Sequence, residues 1–391
     1  MIHVVTQQGK VILLQAILDF VQTLGTTSIE VYEWNEANVC LKRLPNSPNF
    51  AEFTQKKASL IFNGWRLAHA VVKADYLDRR NLYMPGIGFL LQAGNILDFG
   101  APSIALQKDA SEALNDFSLT SLSGRVGQGL AILYGQSLGL KFAAHLRSHV
   151  ASLPAGSTGA MHVNDAMADF LFANDHLTAL IEAKGSFTLQ ANNPSSIKSV
   201  LKGALEKQIY PWMKSLTPVP DNGYVIYSCL REKSWGPSAI FVVDPPGSAG
   251  DGWQIRLTPD QVRRENYGSW LRAMGLNDAA RRLIDPYSEQ KGAREERFFL
   301  QEFNGRIYAY RNSYNLPLGS MGYSVPMLGI DFGVLKGISS VLQSANARQS
   351  ELRVELPEQT PEIQDGVSIF PDGSIFGYAN RKPVRYEVVT L

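Results

Sequence analysis

The chain has 391 residues, 45% hydrophobic and 19% charged, with a formal net charge of +1. That length exceeds one ordinary core, so two or three domains are expected, and the near-neutral balance supplies no overall basic field that would mark a nucleic-acid binder by itself. Two cysteines, Cys40 and Cys229, exclude a disulfide scaffold or a Cys-rich zinc site and fit a reducing cytoplasm.

The opening "MIHVVTQQGK" lacks the charged and long apolar regions of a signal peptide, and the most membrane-like stretch, around 84–106, is broken by Pro, Gly, Gln92, Asn95 and Asp98, so no membrane association is expected. Residues 11–24 have helical spacing. "SIEVYEW" and "NVCLKRL" read as a strand pair across an Asn-Glu-Ala-Asn turn, and residues 50–80 as mostly helical. Residues 1–118 are thus expected to form an α+β module without a chemical signature. The longest helical pattern covers residues 121–149. After it come "ADFLFAND", "LTALIEAKGSF", a helical run from Pro194 to Leu216, and the strands "GYVIYSCL" and "SAIFVVD". That order predicts an α/β fold with a mixed sheet flanked by helices over residues 119–245. "DPPGSAGDGW" is the linker candidate. A third α+β module is expected over 250–391, with helices near 258–284 and 331–344, strands around 297–311, and a polar, half-extended tail beyond 350.

"TALIEAKGSF" carries the chemistry. In a strand, Leu180, Glu182 and Lys184 share one face, while Ala179, Ile181 and Ala183 share the other. Unpaired charges in an apolar strand cost several kcal/mol, so they are paired, bound to metal or neutralised. Alternate residues lie about 7 Å apart, so a carboxylate and an ammonium here can serve one site. A neighbouring strand should add a further carboxylate, and Asp169 is the first choice. Asp165 and Asp175 are alternatives, in the preceding loop and in the turn.

Asp169 followed by Glu182-Ala183-Lys184, within the order helix, hairpin, helix, strands, resembles the PD-(D/E)XK nuclease superfamily over about residues 121–245. The resemblance implies a restriction-endonuclease-like core in which Asp169, Glu182 and the Ala183 carbonyl bind Mg²⁺ or Mn²⁺. Lys184 would position water or steady developing phosphate charge. Gln208 would be a polar residue facing the site from the following helix. Lys198, Lys202 and Lys207 would meet the phosphate backbone. The implied activity is phosphodiester hydrolysis of nucleic acid, DNA first, in restriction or anti-phage defence, with a homodimer or a partner defence protein as assembly context. The alternative is a catalytically silent binding or assembly protein on the same fold.

Two departures stand out. Ala168 replaces the eponymous Pro, and residues 124–150 contain no acid, leaving Gln128 as the nearest polar substitute and one-metal chemistry as the expectation.

Other signals read as structure. Gly135-Gln136-Ser137-Leu138-Gly139 fits a nucleophile elbow, but no His lies in the second half of the chain to complete a triad, so a helix with small residues is expected. His162 and Asp165 have no partners at zinc spacing. The Arg- and aromatic-rich run 292–315 could stack bases but reads first as a two-faced hairpin.

Overall fold

A computed structural model of the chain describes residues 25–46, 49–75, 88–89, 92–151, 166–188, 193–217, 219–245, 255–256, 258–285, 293–311, 325–344, 351–356, 366–379 and 385–391. The helical reading of residues 11–24, His162, Asp165 and most of the linker candidate lie outside them.

A seven-stranded mixed sheet forms the centre. Its strands are β1 (Thr26–Trp34), β2 (Thr54–Asn63), β3 (Phe142–His145), β4 (Phe170–Ala173), β5 (Thr178–Phe187), β6 (Asn222–Leu230) and β7 (Ala239–Val243), in the order β2-β1-β7-β6-β5-β4-β3. β3, β4 and β5 form an antiparallel meander, and β5 pairs in parallel with β6. Between those two runs the helix α3 (Pro194–Ala204), started by Asn193, whose side chain accepts from the Ser195 and Ser196 amides. Helices α1 (Gly64–Asp75) and α2 (Asp116–Ser137) pack together, and α2 lies along β5. β7 is buried along its whole length, as suits a strand near the middle of a sheet covered on both sides.

Several expectations change. The single helix read over 121–149 is α2 followed by β3 and a short helix. The break comes at Gly139, whose φ of +82° ends the helix in a conformation that favours glycine. "NVCLKRL" is not a strand: Asn35 caps a short helix over Glu36–Cys40 through its side chain, and the partner of β1 is β2. β2 was hidden inside a helical reading because it is an edge strand whose first residues, including Lys56 and Lys57, are largely unburied, which leaves little alternation to see. β1 and β2 complete the same sheet as the 119–245 strands, so no break in the sheet marks residue 118.

Beyond α4 (Pro259–Ala273) and α5 (Asn277–Ile284) lies a six-stranded sheet. It is built from β8 (Glu295–Phe303), β9 (Arg306–Tyr310), β10 (Val325–Asp331), β11 (Val367–Ile369), β12 (Ser374–Ala379) and β13 (Arg385–Thr390), with α6 (Phe332–Gln343) beside it. The tail read as half extended thus supplies three strands. β8 and β9 form the expected hairpin, turning at Asn304 and Gly305, both at positive φ. Tyr308 and Tyr310 are buried in a small apolar cluster rather than offered for stacking. No helix among the described residues is long and apolar enough to cross a membrane.

A buried polar knot joins the second sheet to the first. Lys73 of α1 pairs with Asp372, with side chains only 7% and 1% exposed. Asp372 also accepts from Asn266 Nδ2 at 2.8 Å and from the Ser374 hydroxyl at 2.6 Å. His69 stacks on Phe370, with ring centroids 3.7 Å apart, and burial holds its pKa well below the usual histidine value. Lys73→Met leaves a buried carboxylate without its countercharge, so urea denaturation should show a loss of about 3–5 kcal/mol. Part of it should return in the Lys73→Met, Asp372→Asn double variant.

Candidate active site

The site begins with close backbone packing. Gly185 ends the apolar half of β5 where α2 crosses it: a Cβ there would lie 1.9 Å from the Ser123 carbonyl oxygen, and one on Gly127 would lie 2.7 Å from Gly185 Cα. Two glycines facing each other let the helix sit directly on the strand. Gly135 and Ile181 meet further along the same face. Odd-numbered residues of β5 therefore face α2, and Glu182 and Lys184 point to the other side, as strand alternation requires.

The β4–β5 register places Phe170 opposite Ile181, so one step outward sets Asp169 opposite Glu182. Asp169 thus stands just outside the end of β4, close enough for its charge to act on Glu182. Asp169 is fixed by two donors: Gln128 Nε2 of α2 reaches Oδ1 at 3.1 Å, and the Ala183 amide reaches Oδ2 at 2.9 Å. Gln128, read in the sequence only as a substitute for an absent acid, is thus the contact that ties α2 to the first carboxylate.

Glu182 is paired with Lys184, and the two side chains differ sharply in exposure, 2% against 37%. The ammonium therefore stands at the solvent opening and the carboxylate behind it. Burial first, then the charge of Asp169, push the Glu182 carboxyl up to about 8, against the opposing pull of Lys184 and Gln208. Its Oε2 is shielded from solvent and has no hydrogen-bond partner among the described residues. An ionised carboxylate held there needs more positive charge than one lysine provides.

Gln208 arrives from the opposite face of the sheet. The helical run after α3 widens into a π-turn over Leu205–Ile209 before resuming at Tyr210–Ser215. Such single turns re-aim a side chain and recur at functional sites. Gln208 Nε2 donates to the Met167 carbonyl at 2.8 Å, pinning the segment that leads into Asp169, and lies alongside Glu182. No local sequence signal announces the π-turn. His145, read as mid-helix, stands instead on β3 with its ring 5.0 Å from that of Phe170. Burial lowers its pKa while nearby Asp169 raises it.

Asp169, Glu182, Ala183, Lys184 and Gln208 therefore converge. Other residues do not. Lys198 and Lys202 donate to the carbonyls of Lys42 and Cys40 at 3.4 and 3.3 Å, and Lys202 also pairs with Glu206, so both brace the segment after β1 instead of standing free for phosphate. Lys207 is exposed. Asp175 pairs with Arg263 at 2.8 Å in the hairpin turn, which removes it as an alternative first carboxylate. Ser137 ends α2 and donates to the Tyr134 carbonyl at 2.6 Å, so the G-x-S-x-G run is helical up to Ser137, as expected, but closes the helix instead of lying inside it.

No protein-family profile matches the chain, nor does any curated protein or solved structure. The reading of the site therefore rests on its own chemistry. Among the described residues, no three His, Cys, Asp or Glu side chains gather as a metal cluster. The donors on hand are two carboxylates and a main-chain carbonyl, which suits one hard, oxygen-seeking cation completed by water. The unpartnered Glu182 oxygen fits that role.

Proposed function

We propose that the chain is a divalent-cation-dependent nuclease hydrolysing phosphodiesters, DNA first, on a restriction-endonuclease-like core. The observation that carries this is the closeness of Asp169 to Glu182 where β4 meets β5, with Lys184 paired to Glu182 and a shielded Glu182 oxygen that has no hydrogen-bond partner among the described residues. The order α2, β3-β4-β5 meander, α3 and parallel β6 supports the same reading.

Asp169, Glu182 and the Ala183 carbonyl would hold Mg²⁺ or Mn²⁺, which supplies charge stabilisation at the phosphate and a more acidic water. Each Asp169 oxygen keeps a lone pair after its hydrogen bond, so both contacts are compatible with that role. Gln128 and the Ala183 amide orient Asp169, and Gln208 orients the Met167–Asp169 approach while favouring the ionised form of Glu182. Lys184, half in solvent, is placed to meet a phosphate oxygen or to hold the attacking water by hydrogen bonding.

Incubation of the purified protein with plasmid and Mg²⁺ or Mn²⁺ tests this. Asp169→Ala and Lys184→Ala should each reduce cleavage by at least about 10²-fold with unchanged circular dichroism. Equal cutting by wild type and both variants would end the proposal.

A second reading, a silent nucleic-acid-binding or assembly protein on the same fold, draws on the lack of a three-ligand cluster among the described residues and on Gln128 standing where an acid would complete a second metal site. Calorimetric titration with Mn²⁺ separates the two, because a silent scaffold shows no saturable heat that disappears in Asp169→Ala.

A further inference from the structure

A cavity lies away from these carboxylates, between edge strand β2, the first turn of α1 and the last turns of α2. Its volume is about 550 Å³, within the size range of small-molecule sites. Eight residues separate Gln128 from Gln136, which lines the cavity, so the two sites stand about 12 Å apart along the same helix.

The charges around this cavity do not balance. Glu33 and Lys57 line it and pair with each other at 3.0 Å, which cancels both. Arg66 lines it too, and its guanidinium has no ion pair or hydrogen bond among the described residues. Its Nε is shielded from solvent, and burial alone pulls the basicity of the group down. The side-chain oxygen of Gln136 is likewise shielded, with no donor among the described residues. Leu60, Ile61, Leu133 and Leu138 supply apolar wall, with Ile61 58% exposed on the edge strand. A guanidinium partly withdrawn from solvent, with a shielded and unbonded Nε, is well placed to meet an anion that accepts two parallel hydrogen bonds.

We propose that this cavity binds a small organic monoanion, a carboxylate or a phosphodiester, whose charged end is gripped by Arg66, whose hydrogen-bond donor meets Gln136 and whose apolar body lies on the leucine-rich wall. The single uncancelled positive charge selects a monoanion over the dianion of a phosphate monoester. The inference does not depend on nuclease activity.

The test is calorimetric titration of the full chain with indole-3-acetate, which carries a carboxylate, an N–H donor and an apolar ring. Phenyl 4-hydroxyphenyl phosphate, which adds a phenol O–H donor, serves as the phosphodiester arm, and indole-3-acetamide as the neutral control. One of the anions should bind saturably at one site per chain, at least about tenfold tighter than the amide, and lose at least about tenfold in Arg66→Met. Which anion binds distinguishes carboxylate from phosphodiester. No saturable binding of either anion at millimolar concentration, or binding unchanged in Arg66→Met, would overturn the proposal. Because the free guanidinium lacks a partner, Arg66→Met should melt at or above the wild-type temperature. A variant melting well below it would show that Arg66 serves the fold, and would also overturn the proposal.

Discussion

Glu182→Gln should abolish cation-dependent cleavage, by at least about 10³-fold, while making the metal-free protein more stable at pH 8. The two effects share one cause. The amide keeps the size of the side chain but cannot supply the charge that a divalent cation needs, and several kcal/mol of electrostatic stabilisation convert to about three decades in rate. The same charge is a burden in the empty site. The folded carboxyl titrates near 8 and the unfolded one near 4.5, so between those values the native protein holds a proton that the unfolded chain has released. Stability of the metal-free protein therefore falls as pH rises through that window, with an upper limit of about 5 kcal/mol at about 1.4 kcal/mol per tenfold change in proton affinity. Urea denaturation in the presence of EDTA, run from pH 5 to pH 8, should show that decline in the wild type and a flatter profile in Glu182→Gln. Parallel profiles would remove the buried-charge account, and retained cleavage would remove the catalytic one.

Gly185→Ala is expected to damage fold and activity together. The added methyl would meet the Ser123 carbonyl oxygen at 1.9 Å and Gly127 Cα at 3.2 Å, and both are backbone, which cannot turn aside like a side chain. Helix α2 must lift away from β5, at a cost of about 3 kcal/mol or more, the upper end for overpacking. Because Gln128 sits on the turn that moves and holds Asp169, cleavage by the remaining folded protein should fall as well. Gly124→Ala on the same helix is the control: nothing lies within 4 Å of its new methyl, so it should be neutral or stabilising by up to about 1 kcal/mol. Urea midpoints for the two variants, with activity corrected for the folded fraction, decide the matter. Equal stabilities would show that α2 does not rest on this glycine pair.

The combination explains why an apolar strand carries Glu182 and Lys184 and then ends in Gly185. In the proposed site the charged pair would form one wall, and the glycine admits the helix whose Gln128 holds Asp169. Stability is given up at one point on β5 and recovered elsewhere, in the burial of β5, β6 and β7 and in the Lys73–Asp372 knot.

Local sequence determined the parts of this protein that depend on neighbours along the chain. Strand alternation alone put Glu182 and Lys184 on one face. The helical run from Pro194 begins α3, and alternation around Ile307–Tyr310 gave the β8–β9 hairpin, although the same local reading carried α2 past its true end at Gly139. Pairing between distant segments was decided only by the tertiary structure. A four-residue strand such as β3 has too short a period to read, an edge strand such as β2 has too little alternation, and the tail beyond 366 becomes strand only because β8, β10 and β12 offer it backbone partners. At the site, the sequence could name Asp169 and Gln208 but not the π-turn that aims Gln208. Nor could it show that Lys198 and Lys202 are held by main-chain carbonyls rather than left for phosphate. Hydrogen bonds spanning 41 residues, from Gln128 to Asp169 and from Gln208 to Met167, leave no periodic trace in either segment, because their geometry exists only once the sheet has brought the two ends together.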